Sequence, residues 1–291
     1  MDCNKRCSID LHIHSTASDG TLHPSEIISM AQRLSLSAIS ITDHDTIDGS
    51  KEAVAFGIPP SVKFLTGVEV SVSPLDDFYS TGSMHILGYA FNPEDPVLNQ
   101  ALEKLRLARK NRNPKIIERL NALGIKISIN EVIHEFDVKG QLGRPHIARF
   151  MVKKGFAESI DDAFKKYLGN GKPAYVDKYR LTCAKAIEII LGAGGVPVLA
   201  HPKVLQLKQN DQLETLVLKL AQMGLKGIEA YYPEHNPDDT ALYIKLARRN
   251  GLLLTGGTDF HGSLKPDISM GSGRGDFFVP YELYDRLLNK K

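Results

Sequence analysis

The sequence predicts an α/β fold, because short apolar segments with strand character alternate with amphipathic helical segments along most of its 291 residues. A hydrophobic content of 42% is ample for a buried core. The length permits either one large α/β barrel or two modest domains, and we expect a single elaborated domain. The alternation breaks between Pro96 and about Val176, where helical patterns follow one another. We therefore expect an inserted helical block.

Four strands and two helices are predicted before this break. The strands cover residues 9–13, 38–41, 62–72 and 84–91, and the helices cover 24–34 and about 47–56. In the first helix, Ile27, Ile28, Ala31 and Leu34 recur at helical spacing. This part of the chain therefore reads as the beginning of a repeated strand and helix pattern.

The inserted block opens with a long basic helix that begins at Pro96 and closes at Leu123–Gly124, and Pro114 is expected to kink or interrupt it. Helical patterns follow over 125–136, from Pro145 as the first helical residue, and from Ser159 as a cap to near Leu168. Because the strand and helix pattern resumes afterwards, we expect residues 96–176 to form a substrate-binding lid inserted into a barrel of residues 1–95 and 177–291.

After the insertion, Thr182 is expected to cap a helix that runs through Leu191. Further strands are predicted at 196–200, 227–230 and 252–257, with helices near 213–223 and from Asn236 onwards. The Asn236-Pro237-Asp238-Asp239 run supplies a cap, a proline at the first helical position and acidic residues in the first turn.

Two histidines of the opening strand, His12 and His14, are separated by one residue. Residues i and i+2 of a strand point to the same face, so both rings can reach one metal ion. Asp19, just past the bend, adds a carboxylate oxygen. Two imidazoles and a carboxylate suit a divalent transition metal, whose other ligands should lie at the ends of other strands.

Residues of the same types recur along the other predicted strands. Glu69 is a single charge among valines, which is costly to bury unless it is paired or binds a metal. Asp259 and His261 repeat the i, i+2 spacing of the opening motif. The candidate ligands, which we also expect to be the catalytic set, are His12, His14, Asp19, His44, Glu69, His85, His201, Asp259 and His261. Since six of the ten histidines fall at this kind of position, the sequence predicts a metal centre.

Composition limits which binding partners and which cellular compartment we expect for the protein. The formal net charge of +2 does not suggest a broad basic face for long duplex nucleic acid, but short phosphorylated substrates stay open. Cys3, Cys7 and Cys183 contain no C-x-x-C spacing and fit free thiols in a reducing compartment. No targeting segment and no run long enough to span a bilayer are apparent, so a cytoplasmic protein without membrane contact is expected. The oligomeric state is left open.

These motifs resemble the polymerase and histidinol phosphatase (PHP) superfamily of metal-dependent phosphoesterases. The matching residues are the D-L-H-x-H-S-x-x-S-D-G opening (10–20), I-T-D-H-D (41–45), G-x-E (67–69), His85, A-H-P (200–202) and T-D-x-H (258–261). The G-R-P-H segment at 143–146 and G-K-P-A-Y-V at 171–176 are similar to the branch of nucleoside 3′,5′-bisphosphate phosphatases and related 5′-to-3′ exoribonucleases.

The resemblance implies a distorted (β/α)7 barrel that holds three divalent metal ions, with manganese favoured and iron or zinc as alternatives. It implies that His12, His14, Glu69 and Asp259 bind the first ion. The second ion would share Glu69 and take His85 and His201, and the third would take Asp19, His44 and His261. A hydroxide bridging the first two ions would attack phosphorus while the third ion neutralises phosphate oxygens.

Substrate contacts are expected from the insertion. Arg144 is the first candidate for a phosphate clamp, because a guanidinium offers a bidentate fork. The other candidates are His146, Arg109, Arg112 and Lys178, although a solvated surface also explains the basic helix face. Tyr175 or Tyr179 could stack on a base. His23, His134 and His235 are expected to be surface or structural residues.

The main hypothesis is a phosphomonoesterase that acts on a small nucleotide such as a 3′,5′-bisphosphate and also trims short oligonucleotides from the 5′ end. A histidinol-phosphate phosphatase is an alternative of the same class. An amidohydrolase also uses H-x-H on a barrel but commonly bridges its metals with a modified lysine, where this chain has Glu69. A non-catalytic metal or nucleic-acid module is a further alternative, which the complete ligand pattern argues against.

Overall fold

The computed structural model describes residues 8–75, 77–78, 82–136, 140–207 and 210–289. Cys3 and Cys7 lie outside these residues, and Cys183 is a buried free thiol. The described residues form the strands β1 (Ile9–Ile13), β2 (Ala38–Ile41), β3 (Lys63–Ser73), β4 (Met84–Tyr89), β5 (Leu181–Thr182), β6 (Val196–Leu199), β7 (Gly227–Tyr231) and β8 (Leu253–Gly256). All predicted strands are therefore present.

The helices also follow the predicted pattern. They are α1 (Pro24–Arg33), α2 (Asp48–Phe56), α3 (Pro96–Ala122), α4 (Ile129–Phe136), α5 (Arg144–Lys153), α6 (Ile160–Ala163), α7 (Cys183–Gly192), α8 (Asn210–Gln222), α9 (Pro237–Arg249) and α10 (Glu282–Leu288). The predicted caps are confirmed, because the side chains of Ser159, Thr182 and Asn236 each accept a hydrogen bond from a backbone N–H in the first turn.

Seven strands form one nearly closed, barrel-like sheet in the order β1-β2-β3-β4-β6-β7-β8, which confirms the α/β barrel. Most neighbours in this order are parallel, and the short β5 pairs with β3. The two ends of the sheet approach each other where His14 donates its backbone N–H to the carbonyl of Phe260 at 2.9 Å. β1, β2 and β6 are buried along their whole length, as expected for strands covered on both faces.

One strand runs against the others. β4 is antiparallel to both β3 and β6, and Ser71 of β3 lies opposite His85 of β4. The start of a reversed strand lies beside the carboxyl ends of its parallel neighbours. This reversal explains why His85, near the beginning of its strand, joins side chains from the ends of other strands.

Helices α3 to α6 lie between β4 and β5 in the chain. α3 continues through Pro114, so the helix is not interrupted there. The two halves of α3 pack into different hydrophobic clusters: Leu102 lies with β3 and β4, whereas Ile116 lies with α4 and α5. Burial at both ends holds the helix across the proline, which otherwise costs one backbone hydrogen bond. The division into two domains stays a prediction.

Pro145 is the second helical residue of α5 and not the first, because Gly143 is the cap and Arg144 precedes the proline. A π-helical turn, Phe164–Leu168, continues α6 to the predicted end near Leu168. In the part of the chain that is described, no helix has both the length and the apolar character needed to cross a bilayer.

Candidate metal centre

Glu69 of β3 lies at the centre of the predicted ligands, and its side chain is 1% exposed. Five imidazoles surround it, three on one carboxylate oxygen and two on the other. Oε2 lies 2.9 Å from His44 Nδ1, 3.2 Å from His14 Nε2 and 3.5 Å from His12 Nε2, and Oε1 lies 2.7 Å from His85 Nδ1 and 2.8 Å from His201 Nε2. A carboxylate with both oxygens contacted in this way can bridge two ions.

Asp259, which follows β8, faces the histidines of β1. Its Oδ1 lies 3.0 Å from His14 Nε2 and 3.4 Å from His12 Nε2. Its Oδ2 accepts hydrogen bonds from Lys265 Nζ at 2.6 Å and from the Tyr232 hydroxyl at 3.1 Å. One oxygen is thus held by the protein while the other faces the predicted metal position.

Asp19 forms the centre of a second group of side chains. Its carboxylate lies 3.6 Å from His261 Nε2, 3.7 Å from His14 Nδ1 and 3.9 Å from His44 Nε2. His261 donates from Nδ1 to the backbone carbonyl of Asp259 at 2.7 Å, which leaves Nε2 directed towards Asp19. The opening motif therefore contributes to two groups, as the resemblance implies.

Two buried aspartates fix the loops that carry these side chains. Asp43 accepts hydrogen bonds from the backbone N–H of Ser15 at 2.8 Å, from the Ser15 hydroxyl at 2.6 Å and from the Ser18 hydroxyl at 2.5 Å. Asp10 accepts from the backbone N–H and the hydroxyl of Thr258 at 2.9 and 2.6 Å. Residues next to Asp19 and Asp259 are thereby anchored to the barrel.

The carboxylates and imidazoles around Glu69 stabilise one another's charges. Burial favours the neutral form of Glu69, but His85, His44 and His12 outweigh it and hold the pKa of that carboxyl well below its usual range. Burial likewise opposes the charge of His14, but the nearby carboxylates of Asp259 and Glu69 raise the pKa of that imidazole to about 9.

One structural observation supports a metal ion among the candidate ligands. Among the described residues, four buried candidate ligand atoms lie near other candidate ligands and have no hydrogen-bond partner: His12 Nε2, His14 Nε2, Asp19 Oδ1 and His44 Nδ1. A buried polar atom without a partner costs free energy. Converging nitrogen and oxygen atoms of this kind are the donor set that divalent metals take.

Three sets of ligand atoms lie close enough to share an ion, each with its atoms within 4.8 Å of one another. The sets are His12, His14, Glu69 and Asp259; His14, Asp19, His44 and His261; and His44, Glu69 and His85. The first matches the set implied for the first ion, and the second adds His14 to the set implied for the third. His201 was implied beside His85 and contacts the same oxygen of Glu69. Which residues bind which ion stays a prediction.

The structure adds residues that the sequence reasoning missed. Glu229 of β7 is fully buried and contacts His12, and Asp45 is fully buried beside His44. Glu229 carried the same signal as Glu69, a single acidic residue inside an apolar strand. Lys265 and Tyr232, the partners of Asp259, lacked a comparable pattern.

A cavity of about 460 Å³ opens beside Asp19, His44 and His85. Five cationic side chains line it: Arg109, Arg112, Arg144, Lys178 and Arg180. Four of these were predicted as substrate contacts, and Arg180 was not. Tyr175 also lines the cavity, whereas neither His146 nor Tyr179 is among its lining residues.

Three of the five cations are already paired with carboxylates. Arg109 Nη2 lies 2.8 Å and Lys178 Nζ lies 2.9 Å from Oδ2 of Asp45, whose side chain is fully buried. Burial raises the pKa of this carboxyl, but Lys178 and Arg109 outweigh it and the pKa lies well below its usual range. Arg180 contacts the exposed Asp177 at 2.5 Å.

Arg112 and Arg144 have no carboxylate at ion-pair distance among the described residues. Arg112 donates to the Asn113 side chain at 2.8 Å, and Arg144 donates to the Leu168 carbonyl at 3.0 Å. Burial lowers the pKa of Arg112 to about 9, with Arg109 and Arg144 adding to the effect. Two unneutralised guanidinium groups in one cavity favour an anionic ligand.

The remaining histidines lie elsewhere. His146 is buried, and its Nδ1 accepts a hydrogen bond from the backbone N–H of Gly143 at 3.1 Å. His23 and His134 are exposed, and His235 hydrogen-bonds the carbonyl of Ala230 at 2.9 Å.

The chain is similar in sequence to a phosphatase and to an exoribonuclease. The chain is 35% identical over 254 residues to a 3′,5′-nucleoside bisphosphate phosphatase of Chromobacterium violaceum, covering 87% of each protein. It is 33% identical over 264 residues to the 5′-3′ exoribonuclease Rnm of Escherichia coli, covering 89% of this chain and 87% of the relative.

A solved structure is similar along nearly the whole chain. It is a protein assigned as a metal-dependent phosphoesterase from Bifidobacterium adolescentis, with a TM-score of 0.83 and 28% identity, covering 97% of this chain and 96% of the other. The family model of the PHP domain matches residues 10–243. The chain therefore belongs to the PHP domain family.

Proposed function

We propose that this protein is a metal-dependent phosphoesterase that removes a phosphate from a small nucleotide carrying a second phosphate, such as a nucleoside 3′,5′-bisphosphate. The observation that carries the proposal is the cavity in which His44, His85 and Asp19 face Arg112 and Arg144. One side of this cavity suits metal ions and the other suits an anion. A substrate with two phosphates fits both sides at once.

The nine candidate ligand side chains would hold three divalent ions, and manganese is the favoured metal. His12, His14, Glu69 and Asp259 would hold one, Glu69 with His85 and His201 a second, and Asp19 with His44 and His261 a third. When bound, divalent ions supply activation of water and neutralisation of phosphate charge. The side chains keep their ligand atoms converged in a buried site, so little reorganisation accompanies binding.

The second phosphate would lie against the unneutralised guanidinium groups. Asp45 already offsets part of the charge of Arg109 and Lys178, so Arg112 and Arg144 are the cations in the cavity lining without a carboxylate partner among the described residues. Arg144 is held over the Phe164 and Tyr175 rings, 5.5 Å from each centroid. A guanidinium fixed in this way presents its N–H groups with little loss of side-chain entropy.

The same cavity weighs against histidinol phosphate as substrate. That molecule carries an ammonium group, which the unpaired guanidinium groups of Arg112 and Arg144 in this cavity repel. Glu69 lies between the histidines and would take the bridging position for which amidohydrolases commonly use a modified lysine. The names of the relatives support the nucleotide, and the exoribonuclease relatives support 5′-end trimming of short oligonucleotides as a second activity.

A parallel assay tests the proposal. Manganese-loaded protein is given a nucleoside 3′,5′-bisphosphate, the corresponding 3′-monophosphate, histidinol phosphate and a short 5′-phosphorylated oligonucleotide, and product release is measured. We expect the bisphosphate to have the highest kcat/KM. Its advantage over the monophosphate should come from a lower KM. Equal KM for the two nucleotides would remove the second phosphate from recognition, and inactivity on all four would overturn the phosphoesterase.

A further inference from the structure

We propose that Glu229 is a positioning residue that holds His12 and His201 in the arrangement needed by two neighbouring metal ions. This inference rests on the proposed metal centre. Glu229 lies in β7, its side chain is fully buried, and the candidate ligand sets do not include it. Its two carboxylate oxygens contact two different predicted ligands.

The first contact orients the ring of His12. Glu229 Oε1 lies 2.9 Å from His12 Nδ1, and both side chains are fully buried. A carboxylate only accepts hydrogen bonds, so the contact selects the ring form in which Nδ1 carries the hydrogen. The opposite nitrogen, Nε2, then directs its lone pair towards Glu69 and Asp259, at 3.5 and 3.4 Å. Nε2 has no hydrogen-bond partner within the described residues, as a metal ligand requires.

The second contact holds the backbone of His201. The backbone N–H of His201 donates to Glu229 Oε2 at 2.8 Å. His201 has φ 24° and ψ 69°, a conformation that L-residues rarely adopt. Such strain costs about 1–3 kcal/mol and persists only where the surroundings enforce it. The hydrogen bond enforces it here, and the His201 ring consequently reaches Glu69.

The burial of Glu229 argues for function over packing. Its neighbours in β7, Ile228 and Ala230, are fully buried and apolar, and no lysine or arginine among the described residues forms an ion pair with it. A buried carboxylate without a cationic side chain is expensive, and an apolar residue would stabilise the barrel more. Holding one ligand of each of two ions gives this carboxylate a role that an apolar residue lacks.

The proposal predicts a selective loss of metal. Removing a residue that orients a ligand typically weakens metal binding by about 10- to 100-fold. Glu229 contacts neither Asp19, His44 nor His261, so the ion they are proposed to hold should bind as in the wild type. A merely structural role would weaken all three sites together or none.

The test measures Mn²⁺ bound per chain at a series of free Mn²⁺ concentrations, by equilibrium dialysis and elemental analysis of the full-length protein. The variants are Glu229→Gln and Glu229→Ala, and the control is Tyr89→Phe, which removes a buried hydroxyl that donates to the Leu11 carbonyl at 2.8 Å in the barrel interior. We expect three tight sites in the wild type and control, and one tight site with two weakened sites in Glu229→Ala.

Glu229→Gln keeps the size of the side chain, but its single carbonyl oxygen can accept from only one of the two donors, His12 Nδ1–H or the His201 backbone N–H. The Mn²⁺ affinities of the two weakened sites should therefore lie between those of the wild type and those of Glu229→Ala. If Glu229→Ala does not fold, as judged by circular dichroism, Glu229→Gln alone decides. Unchanged Mn²⁺ affinity at all sites in a folded Glu229 variant, or an equal loss at all three, would overturn the positioning role and leave the metal centre standing. A wild type that binds no Mn²⁺ would overturn both.

Discussion

Arg109 and Asp45 form a buried ion pair, with Nη2 of Arg109 2.8 Å from Oδ2 of Asp45. Asp45 directly follows the predicted ligand His44, and Arg109 lies in α3, the first helix of the predicted insertion. Asp45 also accepts hydrogen bonds from the backbone N–H and the hydroxyl of Ser71, at 2.8 and 3.0 Å. Helix α3 is thus tied by charge to the loop that carries a predicted metal ligand.

Asp45→Asn should therefore destabilise the protein. It leaves Arg109 and Lys178 buried without their carboxylate, and breaking a buried pair costs about 3–5 kcal/mol. The free energy of unfolding in urea measures this loss. Asp177→Asn is the control, because Asp177 is 69% exposed and its pair with Arg180 should contribute at most about 1 kcal/mol. Equal effects of the two substitutions would contradict the buried pair.

Substrate affinity should fall as the pH rises above about 8. Burial lowers the pKa of Lys178 to about 8, and the repulsion by Arg109 adds to the effect, so this cation loses its proton in that range. Below this pH the ammonium attracts phosphate, and above it the attraction is lost, so KM should increase. Lys178→Arg, which stays charged, should flatten the rise in KM.

Lys172→Arg makes the matched control for that experiment. Lys172 is exposed and is not among the residues that line the cavity, so the pH profile of KM should keep its wild-type shape. A Lys178→Arg profile that coincides with those of wild type and Lys172→Arg would show that another group titrates.

Arg144→Ala should raise KM by roughly 10- to 100-fold with little change in kcat, because a charge-assisted hydrogen bond contributes about 1.5–3 kcal/mol. Arg144→Lys should restore little, since an ammonium cannot present a planar fork held over Phe164 and Tyr175. Arg149→Ala is the control, because Arg149 lies over the Phe136 ring, 4.7 Å from its centroid, and does not line the cavity. Unchanged KM in Arg144→Ala would exclude this residue from phosphate recognition.

His14→Ala should abolish turnover while the metal-free protein stays folded. His14 belongs to two of the three sets of ligand atoms, so its loss weakens two sites. Mn²⁺ at 100 times its dissociation constant should stabilise the wild type by about 2.7 kcal/mol, and chelation should reverse this stabilisation. Thermal unfolding with and without Mn²⁺ should therefore show a smaller shift for His14→Ala than for the exposed control His134→Ala. Equal shifts would remove His14 from the metal centre.

Much of the fold could be predicted from the sequence, because its signals are local. Buried parallel strands are short apolar runs, and helix caps such as Thr182 and Asn236 act within one turn. The nine candidate ligands could be collected because polar residues stand out where strands are otherwise apolar. The convergence of five histidines on Glu69, and of His261, His14 and His44 on Asp19, is what the α/β pattern leads one to expect.

The features that the sequence did not predict depend on contacts between residues far apart in the chain. The reversal of β4 follows from its pairing with β3 and β6, which no local pattern specifies. The basic residues of the insertion looked alike in the sequence, yet Asp45 neutralises Arg109 and leaves Arg112 unpaired within the described residues. Pro114 favoured a broken helix, but packing of both halves of α3 outweighed the local preference.

The closure of the sheet also sets an order of assembly. Glu69 and His85 come from adjacent strands that form an antiparallel pair, so they can meet as soon as that hairpin forms. His12 and Asp259 come from opposite ends of the chain and meet only when β8 reaches β1. Forming a contact between such distant residues costs loop-closure entropy. A nascent chain still lacking its last strand on the ribosome would therefore present an incomplete ligand set, so metal loading and catalytic activity should appear only after synthesis of the barrel is finished.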